Sequence, residues 1–197
     1  MIFYRIAYWL LWFFFKIAFQ FRIIDKKVLP EGPVIACANH RSVLDVIFFA
    51  FAIGTKRHPY FMAKEELFRN GFSKWLLISL GAIPVRRGKS DITSMKKCLK
   101  ILGGGGLLVM FPEGTRTADG EAAKTGAAML AIKTGAQFYP AYIGGRNMPF
   151  GKTRITVGTP YTPVKDDDKP TSENYRKIAD ELMENIWALK GRKDGGC

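Results

Sequence analysis

Apolar residues dominate the first 24 positions, MIFYRIAYWLLWFFFKIAFQFRII, and their spacing there is helical. At about 100° per residue, Arg5, Lys16 and Gln20 fall on one side, with Ile6, Leu10, Phe13, Ile17 and Phe21 opposite. Trp9 and Trp12 lie toward the polar side, where amphipathic rings suit head-group depth. Such a segment reads as an amphipathic helix lying in a membrane interface. A secretory leader is disfavoured because Lys16 interrupts the apolar stretch and no small-residue cleavage site follows. A spanning helix needs about 20 apolar residues, and the uninterrupted run from Ile6 to Phe15 falls short.

Beyond Pro30 and Gly32 the pattern changes to short apolar runs bounded by glycine or proline, alternating with longer stretches of helical period. The runs predict strands at 34–38, 60–63, 82–86, 107–111, 137–143 and 154–157; the stretches predict helices at 44–53, 65–80, 91–102 and 124–133. Strand and helix in alternation predict an α/β fold, a mostly parallel central sheet flanked by helices. After Asp166–Asp168 and Pro170, Ser172 opens a last helix with Ile178, Leu182, Ile186 and Leu189 on one face. The expected division is an anchor over 1–24, one α/β domain over 25–190 and a flexible tail over 191–197.

Charge narrows the partners. Lys and Arg number 30 against 17 Asp and Glu in 197 residues, a formal +13, which favours anionic partners. Nucleic acid is disfavoured because the aromatics concentrate at the N-terminus and no groove-reading or single-strand motif appears. Cys37, Cys98 and Cys197 are too scattered for a disulfide framework or a metal site, so reduced thiols in contact with the cytoplasm are expected.

The candidate chemistry sits where predicted strands end. NHRSVLD, Asn39 to Asp45, joins the strand VIACA to an apolar helix, and the ends of parallel strands are where α/β sites gather. With His40 in the turn and Asp45 in the first helical turn, the carboxylate reaches back to orient the imidazole as a general base. The same pair also suits a plain capping turn. A second strand, GLLVMF, runs into Pro112, Glu113, Gly114, Thr115 and Arg116. Arg116 suits bidentate phosphate recognition, whereas Glu113 fits either a substrate hydroxyl or a neighbouring cation. Lys64 and the Arg86–Arg87 pair end two more strands and are further candidates for an anion pocket. His58 reads as a surface histidine and Cys37 as an inert strand thiol. The glycine runs fail as nucleotide loops: a phosphate-binding loop ending in Gly88-Lys89-Ser90 needs glycine where Ile83 stands, and a dinucleotide fingerprint starting at Gly103 needs it where Leu108 stands.

Together these blocks resemble the glycerolipid acyltransferases typified by the enzymes that make phosphatidic acid. NHRSVLD resembles their His-x4-Asp motif and FPEGTR their Glu-Gly-Thr-Arg motif. GAIPVRR resembles the arginine block between them, KEEL at Lys64 a Lys-x-Glu-Leu element, and FYPAYIGG a late proline strand. The resemblance covers about Val34 to Pro160 and departs at Pro84. It implies His40 as base with Asp45 as its orienting partner, and Arg116, Arg87 and Lys64 as ligands of a lysolipid phosphate, beside the turn Glu113-Gly114-Thr115. It implies no metal, no cofactor and no acyl-enzyme. The donor substrate is acyl-CoA or acyl-acyl carrier protein, and the acceptor is lysophosphatidic acid or another lysolipid such as a lyso-aminolipid. The expected place is a membrane surface, with the site on its cytoplasmic face. A non-catalytic module that holds anionic lipids is the alternative from another class.

Overall fold

The computed structural model describes residues 2–86, 91–112, 120–146, 148–164 and 170–192, the side chains of 120–124 excepted. A seven-stranded sheet holds the chain together. Its strands are β1 (Gln20–Ile24), β2 (Val34–Ala38), β3 (Pro59–Lys64), β4 (Ala82–Val85), β5 (Leu107–Met110), β6 (Gln137–Gly145) and β7 (Lys152–Val157), in the spatial order β1-β7-β6-β2-β5-β3-β4. All pairings are parallel except β6 with β7. The helices are α1 (Ile2–Ala18), α2 (Leu44–Ile53), α3 (Gly71–Ser79), α4 (Ile92–Gly103), α5 (Gly120–Thr134) and α6 (Ser172–Trp187).

Side-chain alternation divides the interior in two. In β2, Val34, Ala36 and Ala38 point into one apolar layer beneath α1 and α2, while Ile35 and Cys37 point into another beneath α4, α5 and α6. Strands β5 and β6 divide the same way, with Leu107 and Tyr139 in the first layer and Leu108 and Phe138 in the second. A strand covered on both faces has no polar side, which is why VIACA reads as a continuous apolar run. The three sheet prolines avoid breaking the ladder, Pro59 as the first residue of β3. Pro84 lies on the edge strand β4; Pro140 lies opposite Gly158, beyond the last residue of β7, and still accepts from the Gly158 N–H at 2.8 Å.

Three sequence expectations change. The amphipathic segment is not helical through Ile24: α1 stops at Ala18, and Gln20–Ile24 enter the sheet as β1, parallel to β7. Phe21, expected on the outer face of that helix, is therefore buried in the first apolar layer. Second, the helix expected over 65–80 is broken into a 3₁₀ turn at Glu65–Phe68 and α3, because the Asn70 side chain caps the new helix by accepting from the Phe72 N–H at 2.9 Å. Third, His58 is not a surface residue. It is half-buried between the rings of Tyr4 and Tyr60, with centroids at 5.3 and 5.1 Å, and its Nδ1 has no hydrogen-bond partner among the described residues.

Helix α1 carries two apolar faces. Tyr4, Tyr8 and Phe15 pack inward, and the two tyrosine hydroxyls donate to Gly54 O at 3.1 Å and Phe51 O at 3.2 Å. Those carbonyls belong to the C-terminal end of α2, which has no further helical turn to satisfy them. The opposite face, with Ile6, Leu10, Phe13 and Ile17, is exposed. Among the described residues no helix is long and apolar enough to cross a membrane.

Candidate active site

Strand order decides which residues can meet. β2, β5, β3 and β4 are consecutive neighbours and all parallel, so their C-terminal ends emerge in that order along one sheet edge. His40 follows β2, Phe111 follows β5, Lys64 ends β3 and Arg86 follows β4. With strands roughly 4.8 Å apart, Lys64 stands about 10 Å from the His40 strand and Arg86 about 14 Å from it.

At the first of these ends the chain is tightly held. Asp45, 1% exposed in the first turn of α2, accepts at Oδ2 from the backbone N–H of Arg41 at 2.5 Å and of Ser42 at 2.6 Å. The same oxygen lies 3.4 Å from His40 Nδ1. Buried carboxylates persist only where donors surround them, and these amide contacts fix the oxygen that faces the imidazole. The His40 ring is 40% exposed and lies against the Phe111 ring, with centroids 4.4 Å apart. One side of the imidazole thus meets a charge and one face meets an apolar wall.

Asn39, to which the sequence reading gave no role, is completely buried. Its Nδ2 donates to Ile143 O at 3.0 Å and its Oδ1 accepts from Ile143 N at 2.7 Å. β2 has ended at Ala38, and this side chain stands in for the next residue of a strand, satisfying both backbone groups of Ile143 that face it. The backbone is thereby clamped one residue before His40. In the sequence this residue is merely a polar position after an apolar run, and only the register of β2 on β6 reveals what it does.

Of the expected anion ligands, Lys64 lies exposed at this edge. Arg86 is committed elsewhere: its Nε lies 2.8 Å from Glu65 Oε2, and its N–H donates to Asp91 Oδ2 at 3.1 Å. Arg87, Glu113, Gly114, Thr115 and Arg116 lie outside the described residues. Cys37 is fully buried and burial pushes its thiol pKa up, while that of Cys98 is pushed up to about 11 by the same cause; Cys197 also lies outside the described residues.

Comparison with known proteins extends this picture. The model of a family described as Acyltransferase matches residues 20–144. The chain is 31% identical over 183 residues to the 1-acyl-sn-glycerol-3-phosphate acyltransferase of Bacillus subtilis, covering 88% of this chain and 89% of that protein. It is 33% identical over 171 residues to the enzyme of the same name from Streptococcus pneumoniae, covering 84% of this chain and 63% of that protein. The crystal structure of the 1-acyl-sn-glycerophosphate (LPA) acyltransferase from Thermotoga maritima superposes with a TM-score of 0.66 at 25% identity, over 97% of this chain and 78% of that one.

Proposed function

The chain belongs to the acyltransferase family, and on that premise we propose that it moves a fatty acyl group from an acyl thioester to the sn-2 hydroxyl of 1-acyl-glycerol-3-phosphate, giving phosphatidic acid. The observation that carries the mechanism is the contact of His40 Nδ1 with Asp45 Oδ2 at 3.4 Å, made by a carboxylate that two backbone amides already hold. A carboxylate beside Nδ1 favours the tautomer protonated there, so Nε2 carries the lone pair that accepts a proton. The acceptor O–H gives its proton to Nε2 while its oxygen bonds to the thioester carbonyl carbon, forming a tetrahedral oxyanion. The oxyanion then collapses, the C–S bond breaks, and the imidazolium returns the proton to the departing thiolate. Asp45 stabilises the imidazolium between the two steps, and general-base assistance of this kind contributes about 10²- to 10⁴-fold in rate. Reactions of this type need donors aimed at the oxyanion, which backbone amides or nearby cations supply.

Arg116, Arg87 and Lys64 bind the acceptor phosphate, and Glu113, Gly114 and Thr115 complete the set of substrate-binding residues. The edge order supports this assignment: β5, the strand that precedes residues 113–116 in the chain, lies next to β2, and β3, which ends in Lys64, is the strand beyond it. The donor is acyl-CoA or acyl-acyl carrier protein, a substrate, and the chemistry calls for no metal or cofactor. Helix α1 lies in the membrane interface through Ile6, Leu10, Phe13 and Ile17, with the site on the cytoplasmic face.

The test is transfer of labelled acyl from acyl-CoA, and separately from acyl-acyl carrier protein, to lysophosphatidic acid in vesicles, for the parent, His40→Ala and Arg116→Ala. Transfer by the parent, its loss in His40→Ala and a raised acceptor KM in Arg116→Ala are expected. Full activity in His40→Ala refutes the base. A parent that acylates only a lyso-aminolipid refutes the acceptor, and one that binds anionic vesicles without transferring acyl groups refutes catalysis.

A further inference from the structure

Helix α3 is out of place on a protein surface in water. None of its nine residues is buried, although Phe72, Trp75 and Ile78 are 70%, 54% and 53% exposed on one side of it. A helix this short is marginal in water unless an apolar face is covered, and little of this one is. The preceding 3₁₀ turn adds Leu67, also exposed.

We infer that α3 is a second lipid-contacting element, which continues the outer face of α1 into one apolar plane seated in the interface of an anionic bilayer. This inference rests on the interfacial reading of α1 proposed above. Continuity is carried by an edge-to-face contact, the Trp75 ring lying 5.1 Å from the Phe3 ring of α1. Charge selects the occupant. Neither helix contains an acidic residue, whereas Arg5, Lys16 and Lys74 are exposed on them. A second copy docking face to face would set these like charges against each other, while anionic head groups neutralise them and the acyl region covers the aromatic rings. Position supplies the use. The 3₁₀ turn that leads into α3 begins directly after Lys64, at the edge that carries His40, so a bilayer touching both helices lies alongside the site where an acceptor lipid must enter.

The experiment is flotation of the full chain with vesicles of phosphatidylcholine and phosphatidylglycerol, comparing the parent, a Phe72→Ser/Trp75→Ser variant and a Leu10→Ser/Phe13→Ser variant. All four positions are more than half exposed, so the folded structure should survive, which far-UV circular dichroism and the thermal midpoint check. Withdrawing two large apolar side chains from lipid should weaken binding by about thirtyfold or more. A parallel arm uses phospholipids brominated on the acyl chains: the parent should lose more fluorescence than Trp75→Phe does. Binding of the Phe72/Trp75 variant as tight as the parent's overturns the inference, whatever the Leu10/Phe13 variant does. If instead the Leu10/Phe13 variant binds normally and the Phe72/Trp75 variant does not, α3 stands and the α1 reading falls. A parent that is dimeric by light scattering and becomes monomeric in the Phe72/Trp75 variant also overturns it, in favour of contact between copies.

Discussion

Replacing Asn39 by alanine should separate two effects that this side chain joins, stability and aim. The side chain makes two hydrogen bonds to the backbone of Ile143, itself 1% exposed, at 3.0 and 2.7 Å. Its loss leaves a buried N–H and a buried C=O without partners, at about 1–3 kcal/mol each. The expected destabilisation is about 3 kcal/mol, a thermal midpoint lowered by about 10 °C for a chain of this size. His40 is the next residue, and the end of β2 is then free to part from β6. A displacement of about 1 Å at a reacting group costs on the order of 10²-fold in rate, so kcat should fall well beyond what the unfolded fraction explains, with acceptor KM little changed. Thermal unfolding followed by circular dichroism, with steady-state acyl transfer at a temperature where the variant remains folded, reads both. An Asn39→Ala protein within about 0.5 kcal/mol of the parent, or one that is destabilised yet keeps its kcat, refutes the reasoning.

Asp45→Asn retains an oxygen for the Arg41 and Ser42 amides but removes the charge facing His40; kcat should fall by about 100-fold or more with a thermal midpoint within a few degrees of the parent's, and unchanged kinetics would refute the pairing. Asp91 caps α4, and the N–H and Oγ–H of Ser94, together with the Arg86 N–H, hold its carboxyl down at about 2. A depressed pKa contributes stability that is present above the unfolded value of about 3.9 and lost as pH falls through the folded one; Asp91→Ala should therefore cost about 1 kcal/mol at pH 6, with the gap to the parent closing by about pH 2 in urea titrations. His58 has its pKa lowered by burial beside Tyr4, so its neutral form is favoured on folding and that contribution is lost as pH falls below about 6.5. The thermal midpoint of the parent should drop from pH 7.5 to pH 5 more than that of His58→Phe, and parallel curves would refute this.

What the sequence disclosed and what it concealed divide along physical lines. VIACA and LDVIFFAFAI were legible because each is uniform in character and bounded by turn residues, and NHRSVLD because all its chemistry is contiguous. β1 was hidden: QFRII follows a helix of the same composition with no glycine or proline between them, so its strand character comes from pairing with β7 more than a hundred residues away. The break at Asn70 is written in the sequence, in the Asn-Gly step that caps α3, but a continuous helical period masks it. Aromatic density at the N-terminus announced an interface helix without showing that a second face of it docks on α2 through Tyr4 and Tyr8, because hydroxyls that satisfy distant carbonyls have no local signature. Asn39 illustrates the same limit, its partner lying 104 residues along the chain.

Between the last residue of α1 and the first of β1 stands Phe19 alone, buried and stacked on Phe15 at a centroid distance of 4.7 Å. One such joint leaves no slack. At the other end of its reach, α1 grips the tail of α2 through Tyr4 and Tyr8, and the head of α2 carries Asp45. The helix is therefore a mount and not a tether. A tether raises the number of encounters with a surface and leaves their angle to chance; a mount sets height and tilt together. A variant with a flexible glycine-serine spacer after Ala18 should still reach vesicles yet turn over fewer acceptors for each one it meets, because what the spacer removes is aim.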